Sequence, residues 1–162
     1  FGPRPLIRAM PNTPCAIGQG ITGYYPNSQV SAQMCRQAEA LLSAGGEVIR
    51  VDEEAMIDVV TGVSGSGPAY VFHMVEALQA AAENQGMPTD LAQKLACQTL
   101  IGSAALLASS GEIAANLRRA VTSPNGTTQA GLEVLMGNGG LTTLMRDTVT
   151  AATLRSKELG KH

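Results

Sequence analysis

The sequence predicts a mainly α-helical protein that opens with a short α/β segment, and three observations support this fold class. Almost everything after residue 52 shows helical periodicity, whereas the residues before it alternate short extended runs with a single helix. Aromatic residues make up only 3% of the chain although 44% is hydrophobic, which suits helices packed closely on small side chains. A chain of 162 residues is long enough to bury a core. We therefore expect two domains, residues 1–51 and 52–162.

The opening segment is too small to stand alone as a sheet. We expect two or three short strands and one helix, over residues 5–10, 20–25 and 47–51 for the strands and 31–44 for the helix. Gly45 and Gly46 end that helix. So few strands cannot bury a sheet by themselves. The segment is therefore expected to be the trailing edge of a larger α/β domain.

The second domain is expected to be entirely helical. The predicted helices cover residues 53–61, 68–84, 88–109, 112–120, 127–136 and 139–159. Residues 99–108 are nearly apolar on all sides of their helix. A helix of that kind is buried, either inside its own domain or in a subunit interface.

Gly18, Gly20 and Gly23 form a literal G-x-G-x-x-G pattern, which is typical of dinucleotide binding only when a strand enters it and a helix leaves it. Pro26 follows within three residues, and a helix starting at these glycines would lose a backbone donor and clash there. Without a helix start there are no free N–H groups to hold a pyrophosphate. We interpret residues 17–25 as an extended segment and not as a cofactor loop.

Composition excludes several classes of partner. The net charge of −2 and a charged fraction of 15% predict no nucleic-acid partner. We find no apolar run of membrane-spanning length and no signal-peptide pattern, and predict no membrane partner. Cys15, Cys35 and Cys97 are odd in number and widely spaced, which favours a reducing cytoplasm. They lack metal-ligand spacing, and His73 and His162 do not complete a ligand set, so no metal is expected.

Residues 61–70 form the first of two small, polar, glycine-containing stretches that precede helices. Its glycines would let the backbone approach another group closely. Ser64 or Ser66 could cap a helix that starts at Pro68. A hinge followed by a capped helix is the alternative interpretation.

Residues 121–128 form the second stretch, in which one serine and three threonine hydroxyls lie beside an expected helix start. Free N–H groups and the helix dipole there suit a small carboxylate. An ordinary capped turn is the alternative. Neither stretch supplies a nucleophile with its base. His73 is expected to be a structural histidine, and Arg118 and Arg119 a solvated helix end.

Three stretches in this order and at this spacing resemble the pyrroline-5-carboxylate reductase family: MPNTP at 10–14, TGVSGSGPAY at 61–70, and VTSPNGTT at 121–128 followed by AGL at 130–132. The likeness runs from about Leu6 to the C-terminus. Two positions depart from the family pattern. Arg119 stands where an acidic residue is common, and Asn125 where glycine is usual. Because asparagine tolerates a left-handed backbone better than most residues, we expect the loop to keep its shape.

The resemblance implies an oxidoreductase that reduces 1-pyrroline-5-carboxylate to L-proline with NADPH or NADH, the last step of proline biosynthesis. It implies that residues 1–51 end a Rossmann domain and that residues 52–162 form a helical dimerisation and substrate-binding domain. The protein would be a homodimer or a higher homo-oligomer. The family's glycine fingerprint lies in an N-terminal part that this sequence lacks, so the 162-residue chain alone is expected to be inactive.

The resemblance also implies site residues. The cofactor-binding positions are those that end a strand near the nicotinamide: Met10, Pro11, Asn12 and Thr13. The substrate carboxylate and ring nitrogen would be held by Ser123, Gly126, Thr127 and Thr128, with Thr128 as the catalytic residue. An anchored carboxylate fixes the distance and the face of hydride attack, so most of the catalysis would be positioning.

Two other functions stay open at this point. One is a non-catalytic helical oligomerisation module. The other is the helical domain of a 3-hydroxyacid dehydrogenase-like enzyme, a class that usually presents a catalytic lysine on its central helix. Lys94 instead lies on the polar side of its predicted helix, beside Gln93 and Gln98, which counts against that alternative.

Overall fold

A computed structural model of the chain describes residues 4–160 and contains a small mixed sheet followed by helices. Strands β1 (Ile7–Met10), β2 (Gly20–Pro26) and β3 (Gly46–Arg50) lie in that order across the sheet. The β1–β2 pair is antiparallel, with Met10 opposite Gly23. The β2–β3 pair is parallel, with Gly20 opposite Gly46. The predicted strands are confirmed to within three residues at each end.

Seven α-helices complete the described part of the chain: α1 (Ala32–Leu42), α2 (Met56–Val60), α3 (Gly67–Asn84), α4 (Thr89–Ser110), α5 (Ala114–Ala120), α6 (Thr127–Met136) and α7 (Leu141–Leu159). Helix α1 crosses from β2 to β3, as a parallel pair requires. Its N-terminus is capped by Ser31, whose hydroxyl accepts a 3.2 Å hydrogen bond from the Met34 N–H. The predicted mainly α fold with an α/β opening is confirmed.

The described residues form two compact units, one made of 4–70 with 146–160 and the other of Val71–Met145. The first contains the sheet, α1, α2 and most of α7. The second contains α4, α5, α6 and most of α3. The division of the sequence at residue 51 stays a prediction, and His162 lies outside the described residues.

The core of the first unit lies where the sheet meets α1 and α2. Tyr24 of β2 and Ile57 of α2 are its largest fully buried side chains, together with Thr22. The Tyr24 hydroxyl donates a hydrogen bond to the Glu39 carboxylate of α1, which joins that helix to β2. Burial, followed by the nearby Glu39 carboxylate, raises the pKa of Tyr24 to about 12.

The glycines of the G-x-G-x-x-G pattern serve the packing of β2. Gly18 has a left-handed backbone (φ 68°) and ends a 3₁₀ turn at Thr13–Ile17. A Cβ added to Gly20 would lie 2.2 Å from the Cys15 Sγ, and one added to Gly23 would lie 2.7 Å from a methyl of Val60. Strand β2 runs on to Pro26, so no helix leaves the pattern. Residues 20–25 are extended, as predicted, whereas Ile17 lies in the 3₁₀ turn and Gly18 is left-handed.

The expected helix over residues 53–61 is shorter than predicted and does not end at Thr61. Helix α2 leads into a π-helical turn at Thr61–Gly65, and α3 then begins at Gly67. The Thr61 hydroxyl donates to the Ile57 carbonyl oxygen at 2.8 Å, and the Ser64 hydroxyl to that of Val60 at 3.1 Å. Ser64 therefore bonds backward along the chain and does not cap α3.

Helix α4 exposes most of its apolar surface in the single chain. It buries only Ala92 and Ala96, whereas Ile101 is 60% exposed and Leu106 and Leu107 are also exposed. Burial of residues 99–108 inside their own domain is therefore wrong for the isolated chain. A contiguous apolar surface of this kind marks an interaction site, which leaves the subunit interface as the remaining interpretation.

Among the described residues, helix α4, at 22 residues, is long and apolar enough to cross a membrane by length and composition alone. Polar and charged residues, including Asp90 and Lys94, interrupt it, so it contains no unbroken apolar run of that length. One expectation for α3 needs correction. His73, expected to be a structural histidine in the apolar stripe of α3, has a side chain that is 81% exposed. Its Nδ1 lies 3.0 Å from the Glu76 Oε2, one turn further along the helix.

Candidate functional site

The stretch at 121–128 forms a tight turn that leads directly into α6. The Gly126 N–H donates to the Ser123 carbonyl oxygen at 3.1 Å, which closes the turn. The Thr122 hydroxyl donates to the carbonyl oxygen of Arg118 at 2.6 Å, which attaches the turn to the end of α5. Helix α6 then begins at Thr127, and its N-cap, Gly126, supplies no side-chain hydrogen bond.

The start of α6 presents unpaired hydrogen-bond donors. The first N–H groups of an α-helix have no partner within the helix, and glycine at the N-cap position has no side chain to accept from them. The side chains of Thr127 and Thr128 are exposed in this first turn. The helix dipole adds a partial positive charge there. The turn and the helix start therefore bring together four of the predicted site residues: Ser123, Gly126, Thr127 and Thr128.

Asn125 has a left-handed backbone, with φ 60°, and is the non-glycine residue with positive φ in the described part of the chain. Its N–H donates to the Gln129 Oε1 at 2.8 Å. The turn thus keeps a conformation that glycine adopts without strain. Asn125 thus adopts the left-handed backbone on which the expected loop shape depends.

Arg118 and Arg119 lie at the end of α5. The Arg119 guanidinium donates to the Asn116 side-chain oxygen, and the Arg118 guanidinium contacts the Met136 sulfur of α6. Neither forms a salt bridge with an acidic residue of the described chain. Both arginines therefore make local contacts, as a solvated helix end does.

The predicted cofactor segment lies in the other compact unit, where β1 ends. Met10 is the last residue of β1, Pro11 and Asn12 follow, and Thr13 begins the 3₁₀ turn. The Asn12 Oδ1 accepts a 3.0 Å hydrogen bond from the Ile21 N–H, so this side chain fixes the segment to β2. The segment follows the carboxyl end of β1, which runs antiparallel to β2.

Met10 packs against the backbone of the π-helical turn. A Cβ on Gly65 would lie 2.5 Å from the Met10 Cε, so a larger residue there would displace the end of the methionine side chain. A cavity of about 530 Å³ adjoins this contact and is lined by β1, α2, the π-helical turn and α7, including Met10, Thr61 and Ser66. The stretch at 61–70 therefore provides the close backbone approach that its glycines predict.

A buried carboxylate that sequence reasoning missed lies beside this cavity. Asp58 of α2 is 8% exposed, and its Oδ1 accepts from the Arg8 guanidinium at 3.0 Å and from the Ser156 hydroxyl at 2.7 Å. The hydrogen bond from Ser156, and then Arg8, lower the pKa of Asp58 against the opposing effect of burial. A single acidic residue in the otherwise apolar helix MIDVV was the signal that could have found it.

No group of three or more His, Cys, Asp and Glu side chains is placed to hold a metal ion within residues 4–160. The chain joins the end of an α/β sheet to a helical unit that has an exposed apolar helix and a donor-rich helix start. In the described residues, these features define a small mixed α/β sheet unit followed by a helical unit with an exposed apolar helix.

Comparison with known proteins identifies the family. The family profile described as pyrroline-5-carboxylate reductase dimerisation matches residues 54–159. The chain is 48% identical to the pyrroline-5-carboxylate reductase of Pseudomonas aeruginosa over 98% of its own length, and 47% identical to that of Synechocystis over 99%. The chain therefore belongs to the pyrroline-5-carboxylate reductase family.

Solved structures agree with this assignment. A pyrroline-5-carboxylate reductase from Coxiella burnetii has a TM-score of 0.89 at 41% identity and matches 96% of this chain. The Plasmodium falciparum pyrroline carboxylate reductase, solved with NADP bound, has a TM-score of 0.85 at 30% identity and matches 98%. The chain spans 58% and 60% of the two sequence relatives, and 57% and 60% of these two structures.

Proposed function

We propose that this chain is the C-terminal part of an enzyme that reduces 1-pyrroline-5-carboxylate to L-proline with NADPH or NADH. The observation that carries the proposal is the start of α6, where unpaired N–H groups and two threonine hydroxyls meet at a turn closed by Ser123 and Gly126. The relatives' names support the same activity. The proposed substrate-binding residues are Ser123, Gly126, Thr127 and Thr128.

The N–H groups of α6 would hold the substrate carboxylate, since a helix start favours an anion. The Thr128 hydroxyl would hydrogen-bond the ring nitrogen and so orient the C=N bond. When bound, the nicotinamide cofactor supplies the hydride for the imine carbon, and a proton adds to the nitrogen to complete the secondary amine. Holding the carboxylate and the nitrogen together fixes which face of the ring is reduced.

The residues that would contact the cofactor in this chain are Met10, Pro11, Asn12 and Thr13. They lie at the carboxyl end of β1, which the family resemblance places near the nicotinamide. The side chains of Cys15 and Val60 pack directly against the glycines of β2 and leave no room for a phosphate there. The pyrophosphate would therefore be bound elsewhere in the enzyme. NADP is the cofactor present in the Plasmodium structure.

We further propose that residues 1–51 end the dinucleotide-binding domain and that residues 52–162 form the dimerisation and substrate-binding domain. The exposed apolar surface of α4 supports a homodimer or a higher homo-oligomer. Cys15, Cys35 and Cys97 are all free thiols, which supports a cytoplasmic location. The proposed enzyme takes a small-molecule substrate and has no nucleic-acid or membrane partner.

The test is an assay of the full-length protein for cofactor oxidation with 1-pyrroline-5-carboxylate, and separately with 3-hydroxy acids for cofactor reduction. Turnover of the imine alone, with proline formed, supports the proposal. Turnover of hydroxy acids would support the dehydrogenase alternative, which the exposed Lys94 of α4 disfavours. Absence of any turnover by a folded, oligomeric protein would support the non-catalytic module.

A further inference from the structure

We propose that Asp58 is a positioning residue of this enzyme: by holding Arg8 it fixes the end of β1, and with it the cofactor segment at residues 10–13. The inference rests on the proposed function. The starting observation is that one carboxylate oxygen, the Asp58 Oδ1, accepts hydrogen bonds from both the Arg8 guanidinium and the Ser156 hydroxyl.

Arg8 and Met10 lie on the same face of β1, because side chains two residues apart in a strand point the same way. Arg8 binds Asp58 of α2, and Met10 lies against Gly65 of the π-helical turn. Strand β1 has four residues and pairs with β2. The contacts of Arg8 and Met10 attach the carboxyl end of this strand, next to Pro11, to α2 and to the π-helical turn.

Asp58 also connects α7 to this arrangement. Ser156 reaches it from α7, and a Cβ on Gly62 would lie 2.5 Å from the Thr153 hydroxyl of the same helix. The close approach at Gly62 brings α7 onto the π-helical turn. Asp58 is thus the point at which β1, α2 and α7 are tied together by hydrogen bonds.

The charge on Asp58 makes the position of this carboxylate depend on Arg8. A buried carboxylate needs a partner, and removing Arg8 would leave it uncompensated. Besides Arg8, the charged groups near Asp58 are Lys157 of α7 and Glu54. The Glu54 carboxylate is 60% exposed and lies 3.5 Å from the second terminal nitrogen of the Arg8 guanidinium, the one that does not bind Asp58. Because the pKa of Asp58 is lowered, the carboxylate is ionised at the pH of an enzyme assay and the ion pair is intact.

The test uses the full-length enzyme with Arg8→Met and Asp58→Asn, singly and together. Each single variant should raise the KM for the nicotinamide cofactor about ten-fold while the KM for the imine changes less than about two-fold. The double variant should be no worse than either single one, because both break the same contact. Ser156→Ala leaves the ion pair in place and should lower the Tm without changing the cofactor KM.

Arg146→Met is the matched control, since it breaks an exposed ion pair with Asp147 on α7 and should change neither KM. If Asp58→Asn proves too unstable to assay, Arg8→Lys takes its place. It keeps the positive charge without the guanidinium and should give a cofactor KM between those of the wild type and Arg8→Met. The Kd for NADPH, measured by fluorescence, compares the same variants without turnover. It therefore tests the role of Asp58 even if the enzyme does not reduce the imine. For Arg8→Met or Asp58→Asn, equal increases in both KM values, or a fall in Tm with unchanged cofactor binding, would overturn the proposal.

Discussion

The backbone N–H of Asn125 donates a 2.8 Å hydrogen bond to the side-chain oxygen of Gln129, one turn further along the chain. Asn125 does so from a left-handed conformation, which places this bond at the turn that leads into α6. The shape of the proposed carboxylate site therefore depends on a residue that tolerates positive φ.

Asn125→Gly should leave the free energy of unfolding within about 0.5 kcal/mol, because glycine adopts the left-handed backbone without steric cost. Asn125→Ala should lower it by about 1 kcal/mol, because alanine keeps the Cβ but lacks the short polar side chain that lets asparagine tolerate this conformation. Chemical denaturation of the three proteins measures the difference. Gln129→Met is the control that removes the acceptor without changing the backbone. If Asn125→Ala is as stable as Asn125→Gly, the left-handed conformation is not what the residue provides.

Ile101→Glu should convert the oligomer to monomers at micromolar concentration, because a charge placed on the exposed apolar face of α4 cannot be buried against a second copy. Sedimentation velocity measures the change. Leu41→Glu, at a 78% exposed position of α1, is the matched control and should keep the oligomer. An oligomer that survives Ile101→Glu would exclude this face from the interface.

Tyr24 should titrate well above the ordinary tyrosine value of 10.0, in line with a pKa of about 12. The folded value is raised above the ordinary value of 10.0, so the stabilisation is complete below that pH and is lost as the pH rises towards the folded value. Absorbance titration of tyrosinate and alkaline unfolding should both show this. Tyr24→Phe should remove the late titration step, and an unchanged titration would contradict the assignment.

The pKa of Asp58 is shifted in the opposite direction from that of Tyr24. Its folded pKa is lowered, so its stabilisation is complete above the unfolded value of about 3.9 and is lost as the pH falls through the folded value. The wild-type protein should therefore lose more stability between about pH 5 and pH 3 than Asp58→Asn, which is less stable at neutral pH but has no carboxylate to protonate. Parallel acid-unfolding curves for the two proteins would contradict this.

Local chemistry predicted most of the fold. Pro26 showed that no helix leaves the glycine pattern, and Ser31 followed by an alanine-rich run gave α1. The proposed substrate stretch could be singled out because hydroxyls and a helix start are adjacent in sequence. The expectation for Asn125 came from the family resemblance, in which glycine is usual at this position, and its backbone is left-handed in the structure.

Long-range contacts were not predictable from the sequence. Asp58 and Ser156 are separated by 98 positions, and neither residue type indicates a partner so far away. His73 was misplaced because helical periodicity identifies an apolar stripe but not whether a neighbour covers it. The π-helical turn at Thr61–Gly65 escaped prediction because glycine and serine are equally common in ordinary breaks between helices.

The most direct test of the account is Thr128→Ala in the full-length enzyme, compared with Thr142→Ala. Both threonines are exposed and second in their helices, but only Thr128 lies in the proposed substrate site. Loss of one hydrogen bond to bound substrate should lower kcat/KM for the imine roughly ten- to hundred-fold, with the Tm unchanged. Thr142→Ala should leave kcat/KM unchanged. Equal kinetics for the wild-type enzyme and Thr128→Ala would contradict the placement of the substrate at the start of α6.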